Sequence, residues 1–144
     1  MKSAQNLLQL LIDINIRKGN HFSGLGLVMY KSIDNLPISP LKKIAEMIQL
    51  PIKPYDLVID FLIDVSNSNN KYHDGFHLLN ENLELTHIAQ YIAPPIVKTI
   101  LDEEHGSRYR TAIYTSLISD VAACGVLSKN YPPTVFVNGT ILNF

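Results

Sequence analysis

The chain has 144 residues, a length that suits one domain built around one hydrophobic core. Hydrophobic residues make up 47% of it and charged residues 17%, which excludes an intrinsically disordered chain. The formal net charge of -1 gives no bulk attraction to nucleic acid or to an anionic membrane, so we expect neither DNA, RNA nor a membrane as a partner. The single cysteine, Cys124, excludes an internal disulfide and fits a cytoplasmic location. Because Cys124 lies in the apolar run 121–127, we predict an inert core thiol.

Residues 1–22 are predicted to form an amphipathic helix ahead of the main unit at 23–144, within a single domain overall. Only one lysine, Lys2, starts this segment and polar residues interrupt it, which argues against a signal peptide or a membrane span. We favour a helix packed on the domain over a membrane anchor, with a dimer contact as a third alternative. Its apolar positions recur at helical spacing: Leu7, Leu8, Leu11, Ile12 and Ile16.

The next elements are predicted from the spacing of apolar residues and from the prolines and glycines that bound them. Residues 24–30 are short, apolar and bounded by glycine, which predicts a buried strand. Ser39 and Pro40 are typical of a helix start, and we predict a helix with Ile44, Met47 and Ile48 on its apolar side. Residues 55–65 also predict a helix, because their three aspartates fall four apart on one face. We expect a solvated face there rather than a metal cluster: Asp56, Asp60 and Asp64.

The second half alternates strands with one helix. Residues 77–79 and 83–88 predict two strands joined by a turn near Glu81 and Asn82. Ser107 is predicted to cap a helix over 108–120. Residues 121–127 are predicted to form a buried strand. Asn138-Gly139 predicts a hairpin between 135–137 and 140–144. The pattern indicates an α/β (α+β) fold with a mixed central sheet flanked by helices.

Two short motifs carry residues suited to chemistry. Asp74-Gly75, preceded by His73, is a common turn signal and by itself favours a plain turn. Gly106-Ser107-Arg108-Tyr109-Arg110 stands at a predicted helix start, where free N–H groups and the helix dipole favour phosphate. Arg108 and Arg110 cannot share one helix face, but they can hold different parts of a polyphosphate. Two solvated surface arginines are an equally good interpretation of that motif alone.

Taken in order, these motifs resemble the diadenylate cyclase domain family. That family has His followed by Asp-Gly-Ala, and then Gly-Thr-Arg-His-Arg-Ala-Ala at a helix start; here residues 73–76 are His-Asp-Gly-Phe and 106–112 are Gly-Ser-Arg-Tyr-Arg-Thr-Ala. Pro94 falls where the family has a proline, and Ser119-Asp120-Val121 and the strand to Ser128 follow the family plan. The resemblance covers roughly 24–144.

The resemblance implies a domain that condenses two ATP molecules into cyclic di-AMP and releases two pyrophosphates, with two domains facing each other in a head-to-head homodimer. It implies that Asp74 is catalytic and holds Mg²⁺ or Mn²⁺. It further implies a phosphate- and nucleotide-binding set of Gly75, Ser107, Arg108, Arg110 and Ser128. The implied base pocket comprises Phe76, Tyr91, Ile92 and Pro94.

The chain also departs from the family pattern, as a divergent member would. Phe76 replaces the alanine of Asp-Gly-Ala, Tyr109 replaces the middle histidine, and Lys129-Asn130 stands where the family has two glutamates. A lysine near the metal would repel a divalent cation. Three alternatives therefore stay open: a working diadenylate cyclase, a catalytically inactive nucleotide sensor, and a structural or interaction domain without a ligand.

Overall fold

The computed structural model describes residues 2–143, and it shows a seven-stranded mixed sheet with helices on both faces. The sheet order is β2-β4-β3-β1-β5-β6-β7; β1 and β3 are parallel, and the other neighbours are antiparallel. The helices are α1 (Lys2–Arg17), α2 (Tyr55–Val65) and α3 (Ser107–Ser116). The strands are β1 (Gly24–Tyr30), β2 (Ile38–Pro40), β3 (Phe76–Leu79), β4 (Leu85–Ile92), β5 (Val121–Ser128), β6 (Tyr131–Val137) and β7 (Thr140–Ile141).

The sheet separates two hydrophobic cores. Helices α1 and α2 contribute to the larger core, where Leu27 and Met29 of β1 face them. Helix α3 covers the opposite face, where Val28 of β1 packs with Cys124 of β5. The alternation of β1 side chains between the two cores is the two-residue period of a strand buried on both faces. The predicted α/β fold with a mixed central sheet is confirmed.

The N-terminal helix is present and its apolar side is buried in this domain. Leu7, Leu10, Leu11 and Ile14 have no exposed surface. The prediction was wrong for Ile16, which is 75% exposed because it lies two residues after the buried Ile14 and so on the opposite side of the helix. Met1 lies outside the described residues. No helix among residues 2–143 combines the length and the apolar character needed to cross a membrane.

The predicted helix after Ser39-Pro40 is absent. Ser39 and Pro40 instead form the edge strand β2, paired with Tyr91 and Gln90 of β4. An edge strand tolerates proline, because the missing N–H can face away from the ladder. The Leu41 N–H then donates to the Ala89 carbonyl at 2.8 Å, so the pairing with β4 continues where the helix was predicted to begin. In the irregular segment that follows, Ile44 and Ile48 pack on the core while Met47 is 89% exposed.

The other elements follow the sequence closely, with changes at their ends. Helix α2 exposes Asp56, Asp60 and Asp64, and no group of three or more metal-ligating side chains occurs among the described residues. Helix α3 begins at Ser107 with Gly106 as N-cap, so Ser107 is not the predicted cap, and it ends at Ser116 rather than near residue 120. Asn138 and Gly139 have φ values of 49° and 80°, which fits the predicted tight hairpin. Phe144, the last residue of that prediction, lies outside the described residues.

We expect Cys124 to be unreactive in the folded protein. The thiol is on β5 in the core that α3 covers and is fully buried, and burial raises its pKa well above the ordinary value, so almost no thiolate forms. A thiol-specific chromogenic reagent should label it more than about 100-fold more slowly in native than in denatured protein. Labelling of the native protein at the rate of the denatured protein would contradict this burial.

Candidate functional site

A cavity of about 530 Å³ opens at the end of the sheet where α3 begins. This volume is within the range of small-ligand sites, roughly 300–1,000 Å³. Residues from five regions of the chain, far apart in sequence, line it: Ser23, Gly24, Asp74, Gly75, Phe76, Gln90, Tyr91, Ile92, Gly106, Ser107, Arg108, Tyr109, Thr111, Ser128, Asn130 and Tyr131.

The N-terminus of α3 supplies hydrogen-bond donors to this cavity. The first backbone bond of the helix runs from the Arg110 N–H to the Gly106 carbonyl, so the N–H groups of Ser107, Arg108 and Tyr109 precede it. Such N–H groups, together with the positive end of the helix dipole, favour an anion. The helix has no acidic residue in its first turn to neutralise that potential.

Arg108 places a positive charge in the cavity wall. Its guanidinium donates to the His73 carbonyl at 3.3 Å, and no carboxylate among residues 2–143 lies within ion-pair distance of it. Burial lowers the pKa of Arg108, while the nearby Tyr131 and Asp74 oppose that effect. An arginine remains charged in such surroundings, so the cavity presents a partly buried cation without a paired anion.

Two glycines of β1 make room for this arginine. A Cβ atom on Gly24 would lie 2.7 Å from Arg108 Nη1, and one on Gly26 would lie 3.1 Å from Arg108 Cδ and 2.7 Å from the Phe76 ring. Any larger residue at either position would displace the guanidinium or the ring. Sequence reasoning missed this role; the signal that points to it is the i, i+2 spacing of two glycines in a strand.

Asp74 and Gly75 directly precede β3, and the hydrogen bond from Arg108 to the His73 carbonyl holds this segment near the start of α3. Gly75 has a φ of +81°, and a Cβ there would collide with the Gln90 carbonyl oxygen and lie 2.7 Å from Leu41 Cδ1. Only glycine adopts this conformation in that space without strain. The exposed Asp74 side chain therefore lies at the cavity, held there by a backbone that passes close to β4.

The end of β4 forms a second wall of the cavity, called here the β4 wall. Gln90, Tyr91 and Ile92 line the cavity; Ile92 is buried, and Tyr91 is 56% exposed. Phe76 is buried beside them in the core below α3. Pro94, predicted for the same wall, is not among the residues that line the cavity.

The turn between β5 and β6 closes the cavity from a third side. Ser128 and Asn130 line it, and the Asn130 N–H donates to Ser128 Oγ at 3.0 Å. Lys129 is exposed and does not line the cavity, whereas its neighbour Asn130, which carries a neutral amide, does. Tyr131 also lines the wall, and sequence reasoning did not single it out, because no local pattern marks a tyrosine after a turn.

Arg110 lies apart from Arg108, as the spacing of two residues on a helix requires. It is exposed, and its guanidinium donates to the Asp102 carbonyl outside the cavity. Tyr109 stacks on His105 with ring centroids 3.7 Å apart and makes an edge contact with Tyr131 at 5.2 Å. The aromatic cluster fixes the first turn of α3 and thus the position of Arg108.

The donors available to a metal ion are few. Asp74 is the sole carboxylate lining the cavity among the described residues. Magnesium is commonly held by one or two carboxylates together with substrate phosphates and water. The residues therefore fit a divalent ion that arrives with a polyphosphate, and they do not form a site for a free ion.

No protein-family model matches the sequence, and no curated protein matches it. Among solved structures, DacA from Staphylococcus aureus superposes with a TM-score of 0.64 at 17% identity, over 99% of this chain and 88% of that one. The chain has a diadenylate cyclase-like fold. A hypothetical membrane spanning protein from Bacillus cereus is also similar, with a TM-score of 0.66 and 22% identity over 98% of this chain. This chain spans 62% of the length of the Bacillus cereus protein.

Proposed function

We propose that the cavity binds the polyphosphate of an adenine nucleotide, with ATP as the preferred ligand. The observation that carries this proposal is the Arg108 guanidinium beside the free N–H groups of the α3 N-terminus, because both favour a bound anion. The Ser107 hydroxyl stands at the same helix start and can donate to a phosphate oxygen. A nucleoside triphosphate is an anion of a size that suits about 530 Å³.

The base would lie against the β4 wall. Tyr91 offers an exposed aromatic ring, and Ile92 and Phe76 offer apolar surface beside it. Such a combination suits a flat base that stacks on one side and contacts aliphatic atoms on the other. The choice of adenine over other bases rests on the diadenylate cyclase-like fold.

Asp74 would hold a Mg²⁺ or Mn²⁺ ion that the triphosphate carries. That ion would supply charge neutralisation at the phosphates. Asp74 itself accepts hydrogen bonds, and it lines the same cavity as the N-terminus of α3.

A second candidate function is condensation of two ATP molecules into cyclic di-AMP, which the presence of Asp74 at the cavity favours. Each 3′-hydroxyl would attack the α-phosphate of the facing ATP, forming one phosphodiester bond, releasing one pyrophosphate and losing one proton. Asp74 would draw the proton from that hydroxyl. Because one cavity holds one nucleotide, this reaction needs two copies facing each other, at least as a transient dimer.

One experiment separates the candidates. Purified protein is titrated with MgATP, MgGTP and inorganic tripolyphosphate by calorimetry, and product is followed by mass spectrometry. Saturable ATP binding with cyclic di-AMP formation supports the cyclase, and binding without product supports a nucleotide sensor. If neither ATP nor tripolyphosphate binds, the proposed function is wrong.

The Asp74→Asn variant tests the role of the carboxylate. We expect product formation to fall by at least about 100-fold, because the amide can neither hold the ion well nor accept the proton. ATP binding measured with a chelator present should change by less than about 2-fold, because the phosphates contact α3 and not residue 74. Full activity in this variant would contradict the assigned role, and Asp60→Asn on the outer face of α2 is the matched control.

A further inference from the structure

Strand β4 contains a bulge directly before the residues that form the β4 wall of the cavity. Phe76 of β3 pairs with Gln90, but Leu78 pairs with His87, so two steps along β3 correspond to three along β4. The extra residue is accommodated at Ala89, which has a φ of +53°, rare for a residue with a side chain. A bulge of one residue changes which face the following side chains take. It is therefore the bulge that turns Gln90 and Ile92 toward the cavity.

Both backbone groups of Ala89 find partners outside the β3–β4 ladder. Its carbonyl accepts from the Leu41 N–H at 2.8 Å, and its N–H donates to His77 Nδ1 at 3.0 Å. A bulge leaves an N–H without a ladder partner, and an unpaired N–H is costly when buried. The His77 side chain provides the acceptor that the neighbouring strand cannot.

His77 is poorly suited to its surroundings in every other respect. It is 1% exposed, and burial lowers its pKa to about 3, so the ring is neutral. Because a backbone N–H only donates, Nδ1 is the acceptor and the ring proton is on Nε2. Nε2 has no hydrogen-bond partner in the described part of the chain. An aliphatic residue would avoid that cost, so the contact with Ala89 is what distinguishes histidine here.

We propose that His77 is a positioning residue: by accepting the Ala89 N–H it holds the β4 bulge and so sets the β4 wall against which the base of the nucleotide lies. The inference rests on the proposed function for the identity of the ligand. His77 contacts no ligand itself, since it does not line the cavity. Its effect should therefore fall on recognition of the base and leave the phosphate end of the site unchanged.

The test compares MgATP with inorganic tripolyphosphate, which lacks the base. In His77→Leu, the Kd for ATP should rise about 10-fold while the Kd for tripolyphosphate stays within about 2-fold, because only the β4 wall loses its support. In His77→Asn, the side-chain oxygen can occupy the position of Nδ1, and ATP affinity should return to within about 3-fold of wild type. If the His77→Leu protein does not fold, His77→Val provides a smaller apolar replacement for the same test.

Leu79→Ala is the matched control, because Leu79 lies two residues along the same strand and is fully buried. It should lose stability but keep the wild-type ratio of ATP to tripolyphosphate affinity. A His77→Leu protein that keeps wild-type ATP affinity, or one that loses affinity for both probes equally, would overturn the proposal.

A readout without ligand separates this inference from the proposed function. Hydrogen exchange of the Ala89 amide should be at least about 10-fold faster in His77→Leu than in wild type, and close to wild type in His77→Asn. Equal exchange in all three proteins overturns the role of His77 even where ATP binds. A wild-type protein that binds neither probe refutes the proposed function, and the exchange rates then still decide whether His77 holds the bulge.

Discussion

Replacing Arg108 with alanine should weaken binding of MgATP by roughly 10- to 100-fold. The guanidinium lies in the cavity wall beside the first turn of α3, and it has no carboxylate partner among residues 2–143. A bound phosphate would provide that partner in partly desolvated surroundings, where a charge-assisted hydrogen bond is strongest. Arg108→Lys should recover part of the loss, because lysine keeps the charge but lacks the planar fork.

The measurement is calorimetric titration of both Arg108 variants, with Arg17→Ala as the control. Arg17 is also an arginine with a hydrogen-bonded guanidinium, but it pairs with Asp56 on the exposed surface of α1 and α2. The Arg17→Ala protein should bind ATP with wild-type affinity. Melting temperatures of all variants show whether each is folded. Unchanged ATP affinity in folded Arg108→Ala would refute the phosphate site proposed here.

The second large effect is expected for Gly75→Ala, which should reduce the free energy of unfolding by about 3 kcal/mol. Part of this loss is the left-handed backbone at φ +81°, and part is the collision of the new methyl group with the Gln90 carbonyl. The β4 strand must move away to relieve that collision. Because Gln90 and Tyr91 line the cavity, we expect ATP affinity to fall as well.

Urea denaturation of Gly75→Ala and Gly19→Ala tests this expectation. A Cβ on Gly19 would meet no atom within 4 Å, so that variant should change the free energy of unfolding by less than about 0.5 kcal/mol. Equal stability of the two variants would contradict the predicted collision between a methyl group at position 75 and the Gln90 carbonyl of β4.

The two variants probe different ends of one site. Arg108→Ala removes charge from the proposed phosphate end, whereas Gly75→Ala disturbs the junction of β3 with β4. The ratio of ATP to tripolyphosphate affinity distinguishes them: the first variant should weaken both ligands, and the second should weaken ATP more. Together with His77→Leu, they test whether the cavity has a phosphate end and a base end, as proposed.

Elements with a strong local signal could be predicted from the sequence. Residues 55–65 form a helix because their apolar period fits one buried face, and the three aspartates face outward as expected. The strand at 24–30 and the turn at Asn138-Gly139 likewise follow from short-range sterics and period. The order of the Asp74-Gly75 and Ser107-Arg108 motifs pointed to one cavity, and both line it.

Tertiary structure decided the rest, because pairing between distant segments has no local signal. Ser39-Pro40 has the chemistry of a helix start, yet hydrogen bonds to β4 make it an edge strand. Arg108 and Arg110 are equivalent in sequence, and the rotation of α3 on its core places Arg108 alone of the two at the cavity. The N–H of Ala89 in the bulge finds its acceptor twelve residues earlier in the chain, at His77. The sequence by itself determined most of the elements and the residues available for the proposed phosphate site; packing determined which of those residues meet and which way they face.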